Sequence, residues 1–513
     1  METLPAKLVR RAREAPARPA VTFLDAAGND AETLTAAALL AGAGRFAAAF
    51  AAERGRPVLV AAEPTAASVE ALCGCLLAGA IAVPVPAALR PRAFERIAAV
   101  AAGGEAVADT GAAARRLAGA LGGLRLLAPV TDATPAPIPV APATPALLQH
   151  TSGSTSAPKG VVVTHRNLEA NLAMLAEGFG ANEHSRIVSW LPLHHDMGLV
   201  AQLLLALDCG AEVALMAPLA FVRRPEAWLR AVARERATIA GGPDFAYDLC
   251  TRRVRPEMLE GLDFSAWRVA FCGAEPVRPA HLRRFAALLA PHGFDASALL
   301  PCYGLAEATV YVSGGPPGGG LKTRLSAGRE VAGCGRPAGK VAIVDPANGA
   351  PLPEGAEGEI RVEGEHVTAG PALRTGDLGF LANGELFVTG RIKDLIIHRG
   401  ENLHPADIEA TILAADPALG PAGAVFAVDG EDGEEVVAVV EARRAAAGDA
   451  LRRIALRAVA ETHGVRLRRL LLVPPGRVPR TTSGKVRRAA CRELYRAGAL
   501  DGGAPAAAAA AEG

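Results

Sequence analysis

Thr151 to Gly160 reads TSGSTSAPKG, and this stretch decides how the rest of the chain is read. Hydroxyl side chains, two glycines and one lysine lie between two apolar segments. Ala146-Leu147-Leu148-Gln149-His150 before it and Val161-Val162-Val163 after it read as strands, and Thr164 reads as the N-cap of a helix starting at His165. Small residues let backbone N–H groups approach an anion, and hydroxyls add donors without bulk. Lys159 adds a full positive charge at the loop's end. The stretch therefore reads as a polyphosphate cradle with Thr151, Ser152, Gly153, Ser154, Thr155 and Lys159 as its donors. Its spacing differs from G-x-x-x-x-G-K-[ST]. The plain alternative is a Ser/Thr-rich surface turn.

Around this loop the chain alternates apolar runs with helical patterns. Val58–Ala62, Ile81–Val85, Ile187–Leu191, Glu212–Met216, Ala237–Gly241 and Trp267–Cys272 read as strands. This rhythm predicts a layered α/β architecture with largely parallel sheets. Short strands from Gly333 to Val388 predict a small β subdomain. Ala133–Pro145 reads as a Pro/Ala-rich linker and Gly314–Gly320 as a Gly/Pro loop. A boundary near Gly390–Lys393 separates an N-terminal domain, 1–392, from a small α+β domain, 393–500, with a disordered alanine-rich tail at 501–513. In that second domain, helices are expected at 405–414 and 449–463. Strands are expected near Ala422–Val428, Val436–Ala442 and Arg469–Val473.

The bulk properties set limits. A net charge of +1 over 513 residues leaves no electrostatic footprint for nucleic acid or an anionic membrane. A long uncharged run, Ala71–Leu89, holds two glycines and two prolines and reads as a buried helix followed by a strand, not a membrane span. The basic N-terminus has no apolar core after it, so the expected location is cytoplasmic. Eight cysteines without C-x-x-C or zinc spacing read as reduced, mostly buried thiols. Of 54 Lys and Arg residues only six are lysine, leaving 48 arginines. Lys159, Lys393 and Lys485 thus stand where a compact ammonium is required.

TSGSTSAPKG resembles the signature loop of the adenylate-forming enzymes, the superfamily of acyl-CoA synthetases, luciferases, nonribosomal adenylation domains and fatty-acyl-AMP ligases. Ser156 stands where that family usually has glycine. Further segments follow in the family's order. Gly273-Ala274-Glu275-Pro276 resembles the adenine-binding turn; read alone, it is a strand-to-helix turn with Pro276 at the first helical position. In PCYGLAEA, Pro301–Ala308, the resemblance implies that Tyr303 stacks on adenine beside Gly304 and that Glu307 ligates Mg²⁺; read alone, this is an ordinary helix start. Asp377, in RTGDLGF, matches the ribose-binding aspartate, though a T-G-D corner also suits an Asx turn. Arg391 matches an arginine near the sugar and phosphate, and Lys393 the hinge about which the C-terminal domain rotates between half-reactions. Lys485, in VPRTTSGKVRR, matches a mobile lysine that bridges carboxylate and α-phosphate; alone, the segment is a solvated basic tail.

Trp190–Gly198 reads WLPLHHDMG, where His195 aligns with a residue beside the reacting carboxylate. With GGPDFAYDLC, FCGAEPVR and RTGDLGF it looks like the fatty-acyl-AMP ligase branch. That branch passes acyl-AMP to the phosphopantetheine thiol of an acyl carrier protein. The resemblance spans about residues 20–495. It implies a two-step ligase using ATP and Mg²⁺, with a carboxylic acid substrate and a carrier protein acting in trans. His195, Met197, Gly198, Leu199, Phe245 and Leu203–Leu207 are acyl-site candidates, although 199–207 reads equally well as core helix. Three departures bear on the acceptor: a short stretch before Cys334 where the branch carries an insertion, the direct run of His366–Gly370 into Arg374, and a G-E-N sequence at 400–402 typical of CoA ligases. Free CoA is therefore the alternative acceptor. A non-catalytic binding protein on the same fold is the alternative of another class.

Overall fold

The computed structural model describes residues 2–87, 106–121, 124–131, 140–151, 159–326, 329–398, 401–430, 433–443, 448–481 and 484–500. Residues 133–139 of the predicted linker lie outside them, as does the whole alanine-rich tail, and Pro145 at the linker's end already begins a strand. The described residues form two compact units. One runs to Thr375 and includes Phe380–Val388; the other comprises Gly376–Gly379 and the residues from Thr389 onward.

The first unit is built on two mainly parallel sheets. In one, strands run in the order Leu299–Pro301, Val269–Cys272, Ile239–Gly242, Arg186–Ser189, Glu212–Leu215, Pro19–Leu24 and Asp30–Thr35, with only the last pairing antiparallel. In the other the order is Arg125–Leu127, Ala106–Ala108, Pro57–Ala61, Ile81–Val85, Pro145–Thr151 and Lys159–Thr164, closing on an antiparallel hairpin. Strands such as Val269–Cys272 are buried at every position, which is why they read as continuous apolar runs without alternation. The predicted α/β class holds.

The helix His165–Phe179 follows the second sheet's last strand. Thr164 caps it: its hydroxyl accepts from the Asn167 amide at 3.2 Å, while Asn167 Oδ1 accepts from the Thr164 amide at 2.9 Å. Gly180 closes the helix at φ +59°, where an L side chain is strained. Two local readings are corrected. Pro276 does not open a helix; the helix begins at Pro279, so 273–278 is an irregular turn. The segment 199–207 is not one regular α-helix. Leu199–Leu204 is π-helical and Leu205–Cys209 continues as α-helix. A Cβ on Gly198 would lie 2.4 Å from the Pro192 carbonyl, so the chain enters this segment under a tight backbone contact.

A four-stranded sheet, in the order Lys340–Val344, Gly358–Glu363, Ala372–Ala382 and Glu385–Arg391, forms the expected β region. The second unit contains the sheet Leu419–Gly430, Gly433–Ala442 and Arg469–Val473 with helices Pro405–Ala415 and Gly448–His463. It also holds the hairpin Ile396–His398 with Glu401–Leu403 and the helix Arg488–Arg496, neither of which the sequence pattern revealed. Among the described residues no helix is long and apolar enough to cross a membrane. All eight cysteines are unpaired, six of them buried.

Candidate active site

Four of the predicted segments leave the same edge of one sheet. The strands Arg186–Ser189, Ile239–Gly242, Val269–Cys272 and Leu299–Pro301 are parallel neighbours. Their C-terminal ends lead into Trp190–His195, Asp244–Phe245, Gly273–Pro276 and Cys302–Gly304 respectively. Ligands of open parallel sheets bind at that edge, where loops diverge.

The turns there are fixed by backbone contacts. A Cβ on Gly273 would meet the Cys302 carbonyl at 2.8 Å, and one on Gly304 would meet the Val310 carbonyl at 1.6 Å. Only glycine fits either position. Ala274 is held at φ +69°, a left-handed conformation costly for a residue with a Cβ. The Glu275 carboxylate accepts from the Phe245 amide at 2.7 Å. In return, Asp244 Oδ1 accepts from the Arg278 amide at 2.9 Å, and Asp244 Oδ2 lies 2.6 Å from His281 Nδ1. The turn expected to face adenine is thus clamped to the helix Asp244–Arg253, which carries Phe245.

Phe245 meets the Trp190 ring edge-on at 5.8 Å. Gly242 lies against the same indole, leaving no room for a side chain there. His195 and Met197 are half-buried, with the His195 ring 4.5 Å from that of His194. Burial pushes the pKa of His194 down to about 4, leaving it neutral near pH 7. Gly198 is buried, and Leu199 and Leu203–Leu207 are wholly buried in the main core.

Tyr303 is buried, and its strand-like bonds to Ser313 hold the turn that follows it. Glu307 lies in the short turn Ala306–Ala308, half-buried. Its carbonyl accepts from both the amide and the hydroxyl of Thr368 at 2.9 Å. Two asparagines tie this region to the helix after the phosphate loop. Asn171 Nδ2 donates to the Tyr311 carbonyl at 2.7 Å, and Asn171 Oδ1 accepts from the Tyr311 amide at 3.0 Å. Asn167 Nδ2 donates to the carbonyls of Glu365 and Val367 at 2.6 and 3.0 Å. Sequence reasoning missed both asparagines. The available signal was two amides spaced i, i+4 on a helix whose neighbouring positions are apolar. Thr151 pairs with Lys159 at the end of the hairpin. Ser152, Gly153, Ser154 and Thr155 lie outside the described residues.

In the second unit, Asp377 and Arg391 meet as an ion pair: Arg391 Nε donates to Asp377 Oδ1, with Nη2 at 3.5 Å from Oδ2. Asp377 lies within an extended strand, not an Asx turn. Lys393 is exposed in the turn Ile392–Asp394. Lys485 sits in a closed hairpin. The Thr481 amide donates to the Lys485 carbonyl at 2.7 Å, the Lys485 amide donates to the Thr481 hydroxyl at 3.1 Å, and Arg480 bridges Val486. Three residues on, Arg488 donates to both Glu409 oxygens at 2.6 and 2.8 Å and to Asp394 at 3.0 Å. Burial opposes its charge, but Glu409 and then Asp394 outweigh that and raise its pKa.

Comparison with known proteins gives a consistent picture. The AMP-binding enzyme family matches residues 8–370, and the family described as Disco-interacting protein 2-like, AMP domain matches residues 393–502. The chain is 34% identical to the long-chain-fatty-acid–AMP ligase FadD26 of Mycobacterium marinum, over 96% of this chain and 97% of that protein. It is 38% identical to the medium-chain-fatty-acid–[acyl-carrier-protein] ligase TtuA of Teredinibacter turnerae, a match that spans 67% of this chain and 62% of TtuA. A solved fatty acyl-adenylate ligase, from work on the E. coli and L. pneumophila enzymes, superposes with TM-score 0.88 at 30% identity, covering 98% of both chains.

Proposed function

The chain belongs to the AMP-binding enzyme family, and from that premise we propose that it joins a fatty acid to ATP, releasing pyrophosphate and forming acyl-AMP. The acyl group then passes to the phosphopantetheine thiol of an acyl carrier protein. The observation that carries this reading is the convergence of Trp190–His195, Phe245, Gly273–Pro276 and Tyr303–Gly304 on one edge of one parallel sheet. An acyl-binding wall and a nucleotide-binding turn are joined there by the Glu275–Phe245 bond. Similarity to FadD26 and TtuA, named as ligases of fatty acids, supports the choice of acid.

In this reading a carboxylate oxygen attacks the α-phosphorus and pyrophosphate leaves. A carboxylate is a poor electrophile, and adenylation installs a good leaving group. Tyr303 stacks on adenine, the turn at Gly273 contacts its edge, and Asp377, oriented by Arg391, accepts from the ribose hydroxyls. His195 orients the acid. Lys485 holds the carboxylate and α-phosphate together, and its hairpin fixes the backbone from which the ammonium reaches. Glu307 is the residue that would hold Mg²⁺. Its carboxylate makes no hydrogen bond or ion pair among the described residues, and magnesium is bound through one or two carboxylates plus phosphate oxygens. Bound there, the ion would neutralise phosphate charge.

The test uses purified protein, ATP, Mg²⁺ and acids of graded chain length, with no thiol, with CoA, or with a holo carrier protein. Acyl-AMP that moves only to the carrier is the expected result. Efficient acyl-CoA formation would replace the acceptor with free CoA. No adenylate from any acid would refute the reading. Lys485→Ala should slow adenylation by orders of magnitude while transfer from supplied acyl-AMP survives.

A further inference from the structure

The strand Glu212–Leu215 reaches the same sheet edge as the candidate site, and the short helix Pro218–Arg223 begins three residues later. The two sides of that helix differ. Inward, Phe221 is fully buried and stacks on Trp190 at 3.9 Å, the indole that Phe245 also contacts. Outward, Leu219 is 64% and Val222 41% exposed, and their i, i+3 spacing puts them on one face. Arg223, Arg224 and Arg253 are exposed beside them. Arg253 donates to the Val222 carbonyl at 3.1 Å, which fixes it at the patch. Among the described residues, only Arg224 of the three has a carboxylate partner there, Glu226 at 3.2 Å. The result is an aliphatic pair ringed by guanidinium groups, one aromatic layer from the proposed acyl wall.

We propose that this face docks the carrier protein, through an acidic helix on the carrier that presents exposed apolar side chains. The inference rests on the carrier-thiol reading above. Charge complementarity selects the partner: a neutral or basic surface would leave Arg223 and Arg253 uncompensated, whereas carboxylates pair with them as the apolar tips cover Leu219 and Val222. Arginine suits the role because its planar fork binds carboxylates bidentately. Docking here places the carrier over the outer side of the Trp190–Phe221 stack.

The experiment uses the full chain carrying Arg223→Glu or Leu219→Ser. Pyrophosphate release reports adenylation, and transfer of supplied acyl-AMP to holo carrier reports docking. The expected result is a carrier KM raised about tenfold, within the range over which mutants of one interface vary, with adenylation unchanged. The salt dependence of transfer should weaken in Arg223→Glu. A carrier with one carboxylate of its docking helix changed to arginine should rescue Arg223→Glu and not Leu219→Ser. An unchanged carrier KM in both variants overturns the proposal. So does equal loss of adenylation and transfer in variants whose thermal unfolding midpoint is unchanged, which would place these side chains in support of the adenylation site and not at a docking surface. Loss of binding to anionic vesicles with an unchanged carrier KM would assign the patch to a membrane surface instead. If the unmodified protein adenylates but serves only CoA, the acceptor reading fails first and takes this proposal with it.

Discussion

Removing the Arg488 guanidinium gives the sharpest test of how the second unit is held together. Its partner Glu409 is 3% exposed, while Arg488 itself is 22% exposed. Glu409 Oε1 also accepts from the Val425 amide at 2.9 Å, which joins the bridge to the edge strand Leu419–Gly430. Arg488→Met would strip a buried carboxylate of its counter-charge and two short hydrogen bonds. Breaking one side of a buried pair costs about 3–5 kcal/mol. Arg488→Met/Glu409→Gln removes the stranded charge and keeps an acceptor for Val425, so at least half of that loss should return. Arg488→Lys should fall between, since an ammonium cannot reproduce the bidentate contact. Trp190, Trp228 and Trp267 all lie in the first unit, so tryptophan fluorescence would not register the change. Amide hydrogen exchange across Leu419–Gly430 and Gly433–Ala442 would. At about 1.4 kcal/mol per decade, 3–5 kcal/mol is about two to three and a half decades of faster exchange where opening is cooperative. Less than a tenfold change in Arg488→Met, or no recovery in the double variant, would refute the argument.

Other expectations follow from single positions. His165 is buried, its ring nitrogens have no hydrogen-bond partner among the described residues, and burial pushes its pKa down to about 4. The unfolded chain binds a proton there below pH ~6.5 and the folded chain does not until about 4, so its contribution is complete above ~6.5 and lost as pH falls towards 4. The loss is about 3 kcal/mol, and denaturation midpoints at pH 7 and 4.5 should converge in His165→Leu. Gly304→Ala should displace the Tyr303 turn and abolish nucleotide binding, read by calorimetric titration with ATP; binding unchanged would place Tyr303 away from the nucleotide. Ala274→Gly relieves a left-handed alanine and should leave stability unchanged or raised by up to about 1 kcal/mol in urea denaturation.

What the sequence determined by itself was the type and order of the main elements. Buried parallel strands are continuous apolar runs, and the Thr164 cap announces its helix, so Val269–Cys272 and His165–Phe179 were legible from local pattern. Motif resemblance supplied the family and a set of candidate residues. It could not say which polar groups were already committed to other protein groups. The Glu275 carboxylate looks like part of a nucleotide-binding turn in the sequence, yet it is bonded to the Phe245 amide thirty residues away. Asn167, Asn171 and Arg488 read as ordinary helix residues, and their roles come from partners 79 to 200 positions distant. The exposed face of Pro218–Arg223 was equally hidden, because PLAFVRR is as apolar as many core helices. Periodicity along the chain encodes which side of an element is buried. Only the packed tertiary structure decides what each buried polar group meets and which apolar side chains are left uncovered, because those neighbours are brought together by the sheet order and not by sequence spacing.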